Sequence, residues 1–314
     1  MTGKMQKYGP YLIFIAAMLW ATDAPFRVHL TKELSSNFIV LIEHFFDILI
    51  VLPILIWSFR DLGKLGKKEW FSVLIIAIGG SALASIAFTQ AFRYVNPSVA
   101  ILLQKLQPLI AISLAAGLLK ERLRKNFWLW TGIVIAGAYI ISFPRFIPQL
   151  FIGEQFNPNA AGVTLALIAA VLWGASTVLG KFVLNKVSFK VMTSLRFVGA
   201  FVFLLFLNIF QKTVPDFSSV TFKDWSFLLI IAVTSGVVSL FIYYKGLQHT
   251  KASIATLAEL GFPLAAVVVN YFFLKEALVP MQFLGMAILL FGLWHLSKEN
   301  EQEEPVQNPL YIKE

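Results

Sequence analysis

Apolar residues in this chain come in ten long runs, not in the alternating or one-sided patterns of soluble strands and helices. A run of about 18 residues or more is long enough to cross roughly 30 Å of hydrocarbon as a helix. The runs cover residues 9–26, 38–59, 70–92, 97–119, 126–143, 160–184, 188–211, 225–247, 252–274 and 281–297. Between the fifth and sixth, residues 144–159 hold three prolines and read as a linker. Beyond the tenth, residues 298–314 are charged and contain Pro305 and Pro309, a composition that predicts disorder. Lys4 and Lys7 precede the first run as they would in a signal peptide. No small-residue cleavage site and no soluble domain follow, so the run is read as the first span.

The pattern also repeats. Leu119-Lys120-Glu121-Arg122-Leu123 returns 155 residues later as Leu274-Lys275-Glu276-Ala277-Leu278. At the same spacing Ser98, Ala100, Leu102, Pro108, Leu109 and Ala111 pair with Ser253, Ala255, Leu257, Pro263, Leu264 and Ala266. Ala16-Ala17-Met18-Leu19-Trp20-Ala21 matches Ala169-Ala170-Val171-Leu172-Trp173-Gly174 at a spacing of 153, and Ser36 and Phe45 match Ser188 and Phe197 weakly at 152. An odd number of spans per copy sets the second copy upside down, the mark of an inverted repeat. The expected architecture is an all-α integral membrane protein of ten transmembrane helices in two inverted five-helix repeats. Residues 1–147 form the first repeat, 148–159 the linker, 160–297 the second repeat and 298–314 a charged cytoplasmic tail.

Charge orients this arrangement. With the N-terminus in the cytoplasm, 17 of the 26 Lys and Arg fall in inside segments and seven in outside ones, Arg27 among the latter. The bias places both termini in the cytoplasm. The loop ending the fourth span, inside, keeps Arg122, Arg124 and Lys125; its copy, outside, has Ala277, Val279 and Pro280.

Composition agrees and excludes other classes. Apolar residues make up 58% of the chain and charged ones 14%, against roughly a quarter in soluble domains. The net charge of +9 would suggest nucleic acid in a soluble chain, but here it follows from basic cytoplasmic loops, and no nucleic-acid partner is expected. With no cysteine there is no disulfide, thiolate metal site or cysteine nucleophile. The four His are not spaced as a metal pair, and HExxH, GxSxG and GxxxxGK are absent. The chain therefore reads as neither an enzyme nor a holder of a metal or cofactor.

Several short motifs stand in order: the small-small-x-x-Trp-small segments around Trp20 and Trp173, Leu195-Arg196-Phe197 in the seventh span, and the Pro97-Ser98 and Ala252-Ser253 openings of spans four and nine. Those two spans also share a central proline and a Leu-x-Glu-x-Leu end. Together these resemble the drug/metabolite transporter superfamily, specifically its EamA-type members of ten helices, from about residue 8 to 297. The resemblance implies a secondary transporter without an ATPase. It also implies a central path lined by helices one, three, four, six, eight and nine, with helix two outside it and helices five and ten peripheral or at an interface. Two positions depart from the family: Lys120 and Lys275 stand where it has Gly, and Glu43-His44 where it often has Arg.

Ionisable and polar groups within spans supply the candidate chemistry, because their cost in hydrocarbon makes them face protein or water. A proline removes the hydrogen bond to the carbonyl four residues earlier. Pro108 and Pro263 are therefore expected to kink their helices and loosen the carbonyls of Gln104 and Glu259, which bracket the midplane. As substrate-binding residues we expect Gln104, Gln107, Glu259, the symmetry-related Trp20 and Trp173, and Tyr244; the competing role for each is structural, with Glu259 neutralised by Lys105 or Arg196. Glu43, His44 and Asp47 share one helix face. With Asp23 and Glu259 they form a set suited to proton coupling, or else a structural cluster satisfied by Arg196 or Lys105. Gly79-Gly80 with Ala84, and Gly132 with Ala136, read as helix-packing contacts.

The expected function is secondary active transport of a small polar or amphipathic metabolite, an amino acid or amine, across the cell (inner or plasma) membrane by alternating access, in the direction of export. Uptake of a quaternary amine such as choline is an alternative, and a lipid-moving or non-transporting assembly protein is one of another class. Expected partners are the solute, membrane lipid, protons as coupling ion and a second copy as homodimer.

Overall fold

Serine, asparagine and proline set where the helices begin, and glycines set how closely they approach. In the computed structural model, which describes residues 2–107, 109–111, 113–114, 126–143, 151–152, 155–215, 217–250, 258–259 and 261–301, the helices follow in chain order. They are α1 (Thr2–Trp20), α2 (Ala24–Glu33), α3 (Ser36–Trp57), α4 (Lys67–Ile75), α5 (Ala84–Ala91), α6 (Pro97–Gln104) and α7 (Phe127–Ser142). Then come α8 (Pro158–Leu184), α9 (Phe189–Gln211), α10 (Phe222–Ile231), α11 (Ser239–Gln248), α12 (Gly261–Leu274) and α13 (Pro280–Glu301). The linker holds one small antiparallel pair, β1 (Phe151–Ile152) with β2 (Gln155–Phe156), the only departure from an all-α chain among the described residues. Of the tail expected to be disordered, residues 298–314, the first four continue α13 to Glu301, and residues 302–314 lie outside the described residues, as do Pro108 and the 119–123 motif.

Six helical stretches are long and apolar enough to cross a membrane: Tyr8–Glu33, Ser36–Trp57, Lys67–Ala91, Pro158–Leu184, Phe189–Gln211 and Phe222–Gln248. Shorter apolar helices at Phe127–Ser142, Gly261–Leu274 and Pro280–His295, together with α6, occupy the positions of the other expected spans. Trp57, Phe210 and Phe222 are more than four-fifths exposed. Such a surface suits lipid, not water. The chain is a multi-pass α-helical membrane protein.

The first span does not end at residue 26 as expected. Pro25 cannot donate to the ladder, so α1 stops at Trp20 and tightens into a turn, Thr22 N–H donating to Leu19 and Asp23 N–H to Trp20. The chain then restarts as α2 with the proline in its first turn and runs on to Glu33. Arg27, assigned above to an outside loop, is instead a buried helical residue.

Equivalent devices recur in both halves. Ser35 caps α3 by accepting from Phe38 N–H, and Ser188 caps α9 by accepting from Val191 N–H. The caps stand 153 residues apart, correcting the 152-residue register taken from Ser36. At the start of α4 Glu69 accepts from Gly66 N–H at 3.0 Å, and at the start of α10 Asp224 accepts from Thr221 N–H at 3.0 Å. Each of these helices then widens into a π-helical segment, Ile76–Leu83 after α4 and Ala232–Val238 after α10. The sequence signal for this pair, Lys68-Glu69-Trp70 against Lys223-Asp224-Trp225, was missed above.

Glycines let backbones touch. A Cβ on Gly80 would sit 1.9 Å from Ser176 Oγ of α8, in line with the packing role expected there. In α7 the close approach falls on Gly137, where a Cβ would lie 2.6 Å from the Leu289 backbone of α13. Gly132 and Ala136 instead face away from the chain, so that expected contact is not made within it.

Candidate functional site

The broken and widened helices meet around one cavity of about 160 Å³. Trp20, Asp23, Glu43, His44, Asp47, Gln104, Gln107, Trp173 and Tyr244, all expected from the sequence, lie on its wall. Helix two was expected outside the central path; α3 brings Glu43, His44 and Asp47 to the wall of this cavity, and α9 adds Arg196 and Phe197.

Two aromatic pairs recur across the halves. Trp20 of α1 packs on Tyr243 of α11, and Trp173 of α8 packs on Phe88 of α5, each with ring centroids 5.1 Å apart. Each Trp meets a ring from the other half. Both are therefore part of the cavity wall, not interfacial anchors, with Phe262 edge-on to Trp20 at 6.3 Å.

Opposed charges are gathered beside them. Arg27, expected in an outside loop, pairs with Asp23 at 3.0 Å and with Glu43 at 3.0 Å, and donates to Thr89 Oγ1 at 2.7 Å. The spacing Asp23-x-x-x-Arg27 on one helical face was the available signal. Glu43 thus takes its guanidinium partner from one helix earlier. Arg196 donates from Nε to Ser81 Oγ at 2.5 Å, and from its terminal nitrogens to Tyr244 Oη at 2.9 Å and the Gly80 carbonyl at 3.0 Å. That carbonyl is free because Ala84 N–H bonds Gly79 five residues back, the geometry of a π turn.

Three acceptors on the wall have no protein partner. His44 Nδ1 lies 2.8 Å from the Val40 carbonyl, which can only accept, so Nδ1 carries the proton. Nε2 is left without a partner, as are Asp47 Oδ1 and Gln104 Oε1. Asp47 makes no ion pair among the described residues and packs on the second π segment, where a Cβ on Gly236 would sit 2.7 Å from Oδ1. Gln104 Nε2 donates to Gln107 Oε1 at 3.4 Å, and Gln107 Nε2 donates to Thr177 Oγ1 at 3.1 Å.

Glu259 is placed differently from the expectation of a substrate contact. It lies behind the wall, 2% exposed, accepting from Tyr243 Oη at 2.8 Å and facing Lys105 Nζ at 3.6 Å. Lys105 is fully buried and also lies over the Phe262 ring at 4.7 Å. The alternative in which Lys105 neutralises Glu259 is the arrangement found. The helix tightens here as Pro263 requires. The Glu259 carbonyl, denied a donor by Pro263, accepts from Phe262 N–H at 3.0 Å. In the first half the break shows as 3₁₀-type bonds from Lys105 N–H to Leu102 and Leu106 N–H to Leu103.

Comparison with known proteins agrees with this construction. The model of the EamA-like transporter family matches the chain twice, at residues 7–143 and 160–298. The riboflavin transporter ImpX of Fusobacterium nucleatum subsp. nucleatum is 31% identical over 305 residues, covering 93% of this chain and 98% of that protein. The transporter YetK of Bacillus subtilis is 25% identical over 293 residues, 92% of this chain and 87% of its own. A solved crystal structure 14% identical in sequence superimposes with a TM-score of 0.65 over 94% of this chain and 99% of its own, a likeness of fold alone. With two family matches that together span most of its length and a helical bundle around one polar and aromatic cavity, this chain belongs to the EamA-like transporter family and is a multi-pass inner or plasma membrane protein that transports a small molecule.

Proposed function

We propose that this chain is a secondary transporter that carries an uncharged, planar heteroaromatic solute bearing hydroxyl and N–H groups, of the riboflavin class. It works by alternating access between two inverted five-helix repeats, with both termini in the cytoplasm. One observation carries the reading: the same cavity joins two Trp-centred aromatic pairs to a row of unpartnered acceptors. Aromatic pairs offer faces on which a flat ring stacks. The name and near-full-length coverage of ImpX support the same class. A cationic amine loses its expected counter-charge, since Glu259 is already paired with Lys105 behind the wall. The cavity is close in size to a dry one of about 150 Å³ that admits benzene. A larger ring system therefore needs the halves to part, as alternating access does.

Protons are the coupling ion in this proposal, with Asp47, the carboxylate without a cation partner, as the carrier and His44 beside it. Proteoliposomes loaded with riboflavin should exchange external radiolabelled riboflavin saturably, and Trp20→Ala or Trp173→Ala should lower that exchange by about tenfold or more through lost stacking. Asp47→Asn should keep exchange but lose accumulation driven by a pH gradient. Absence of riboflavin exchange in wild-type vesicles would end the substrate assignment. Export, the direction expected above, is checked by comparing right-side-out with inverted vesicles.

Inversion is tested separately. Lys67 and Lys223 begin equivalent helices and are both exposed. Since the chain has no cysteine, Lys67→Cys and Lys223→Cys can be labelled singly with an impermeant maleimide in intact cells. Position 223 should react and position 67 only after permeabilisation. Labelling of both from one side would refute the inverted arrangement.

A further inference from the structure

The proposed solute class leaves open which parts of it the cavity reads, and the hydrogen-bonding state of the wall addresses that. Arg27 spends all five of its N–H groups on protein acceptors, and Arg196 spends three of its five. Three acceptors on the wall stand open beside them: His44 Nε2, Asp47 Oδ1 and Gln104 Oε1 are buried and bonded to nothing among the described residues. A buried acceptor without a partner costs about 1–3 kcal/mol, so a solute that brings donors is favoured. The three acceptors also fall at two ends. Gln104 is tied through Gln107 to Thr177, one turn beyond Trp173 and so next to an aromatic pair. His44 and Asp47 lie on α3, beside Phe197 and Gly236.

We infer that the cavity is a donor-reading site, in which Gln104 accepts from an N–H on the edge of the ring while His44 and Asp47 accept from hydroxyls on its side chain. From this follows a selection that the riboflavin-class reading, on which the inference rests, does not contain: the phosphate ester of the same solute is excluded. A phosphate at neutral pH brings acceptor oxygens and about −1.5 to −2 charges. It would meet acceptors on the wall, and carboxylates already outnumber guanidinium groups there, Asp23, Glu43 and Asp47 against Arg27 and Arg196. To bind it fully, Arg27 would have to leave partners it now holds.

The experiment measures binding of three flavins to purified full-length protein in nanodiscs by quenching of flavin fluorescence: riboflavin, lumiflavin (the same ring without the hydroxyl chain) and riboflavin 5′-phosphate. Lumiflavin should bind about tenfold weaker than riboflavin, and the phosphate ester at least about a hundredfold weaker, as lost and mismatched hydrogen bonds at buried sites require. His44→Phe should weaken riboflavin by about tenfold and leave lumiflavin within twofold, so that the two become alike. Gln104→Leu should weaken both in parallel. Equal binding of riboflavin and lumiflavin to the unaltered protein, or of riboflavin and its phosphate, overturns the inference while leaving the riboflavin-class reading intact. Failure of all three to bind overturns that reading and this inference with it. The comparison among flavins needs no variant, so it stands even where a substitution impairs folding.

Discussion

Arg27→Met should lower the melting temperature of the detergent-solubilised protein by roughly 6–20 °C. The reasoning starts from burial: Arg27 is 6% exposed and its partners Asp23 and Glu43 are 9% and 6% exposed. Removing one member of a buried ionic cluster costs about 3–5 kcal/mol, because the remaining charges keep their desolvation penalty and lose the attraction that offset it. At about 2–4 °C per kcal/mol for a chain above 150 residues, the shift is of the stated size. Thr89 would lose its donor as well. The triple change Arg27→Met, Asp23→Asn, Glu43→Gln should recover most of the loss, since amides are far cheaper to bury than carboxylates. A single variant that melts with the wild type would mean that the three groups are solvated and uncoupled. Lys32, which the sequence places in the same outside segment, is not among the buried residues, and its replacement should change melting little.

The second large effect concerns the pair behind the aromatic wall. Glu259→Gln leaves Lys105, fully buried, with the Phe262 ring as its main remaining compensation. Lys105→Met leaves Glu259 with the Tyr243 hydroxyl as its remaining partner among the described residues. Either should cost about 3–5 kcal/mol, and the double variant should cost much less than the sum. A double-mutant cycle by thermal melting gives the coupling; a value near zero would show that the 3.6 Å approach contributes nothing. Solute flux should fall in Glu259→Gln even at temperatures where the protein is folded. Glu259 does not touch the cavity, but it holds the hydroxyl of Tyr243, the ring on which Trp20 packs. Gln104 is its counterpart in the first half, and there the same position faces the cavity with its oxygen free. In the proposed function, two copies of one element take different tasks, one in fixing the wall and one in meeting the solute.

How far each residue could be read in advance depended on whether its role is local. The membrane class, most helix positions, the family and the breaks near Gln104 and Glu259 follow from run length, repeated motifs and the missing N–H of proline, which neighbours along the chain decide. Trp20, Trp173 and Tyr244 were also legible, because a large ring or hydroxyl amid small and apolar residues of a span stands out. The π segments were not, since i to i+5 bonding has no composition of its own; only the repeated Lys-Glu-Trp and Lys-Asp-Trp starts hinted that α4 and α10 were equivalent.

Tertiary structure decided the rest, and mostly in the electrostatics. A count of loop charges placed Arg27 outside because it followed an apolar run, yet Pro25 restarts a helix that carries it inward to Glu43. Glu43, His44 and Asp47 shared a face on paper, but whether that face met lipid, another helix or the cavity depended on how α3 lies against α9 and the second π segment. The choice of Lys105 over Arg196 as the partner of Glu259 was open for the same reason. Hydrophobic burial varies slowly along a chain and is written in its periodicity. The pairing of buried charges changes over an ångström or two between residues far apart in sequence, so only the assembled bundle determines it.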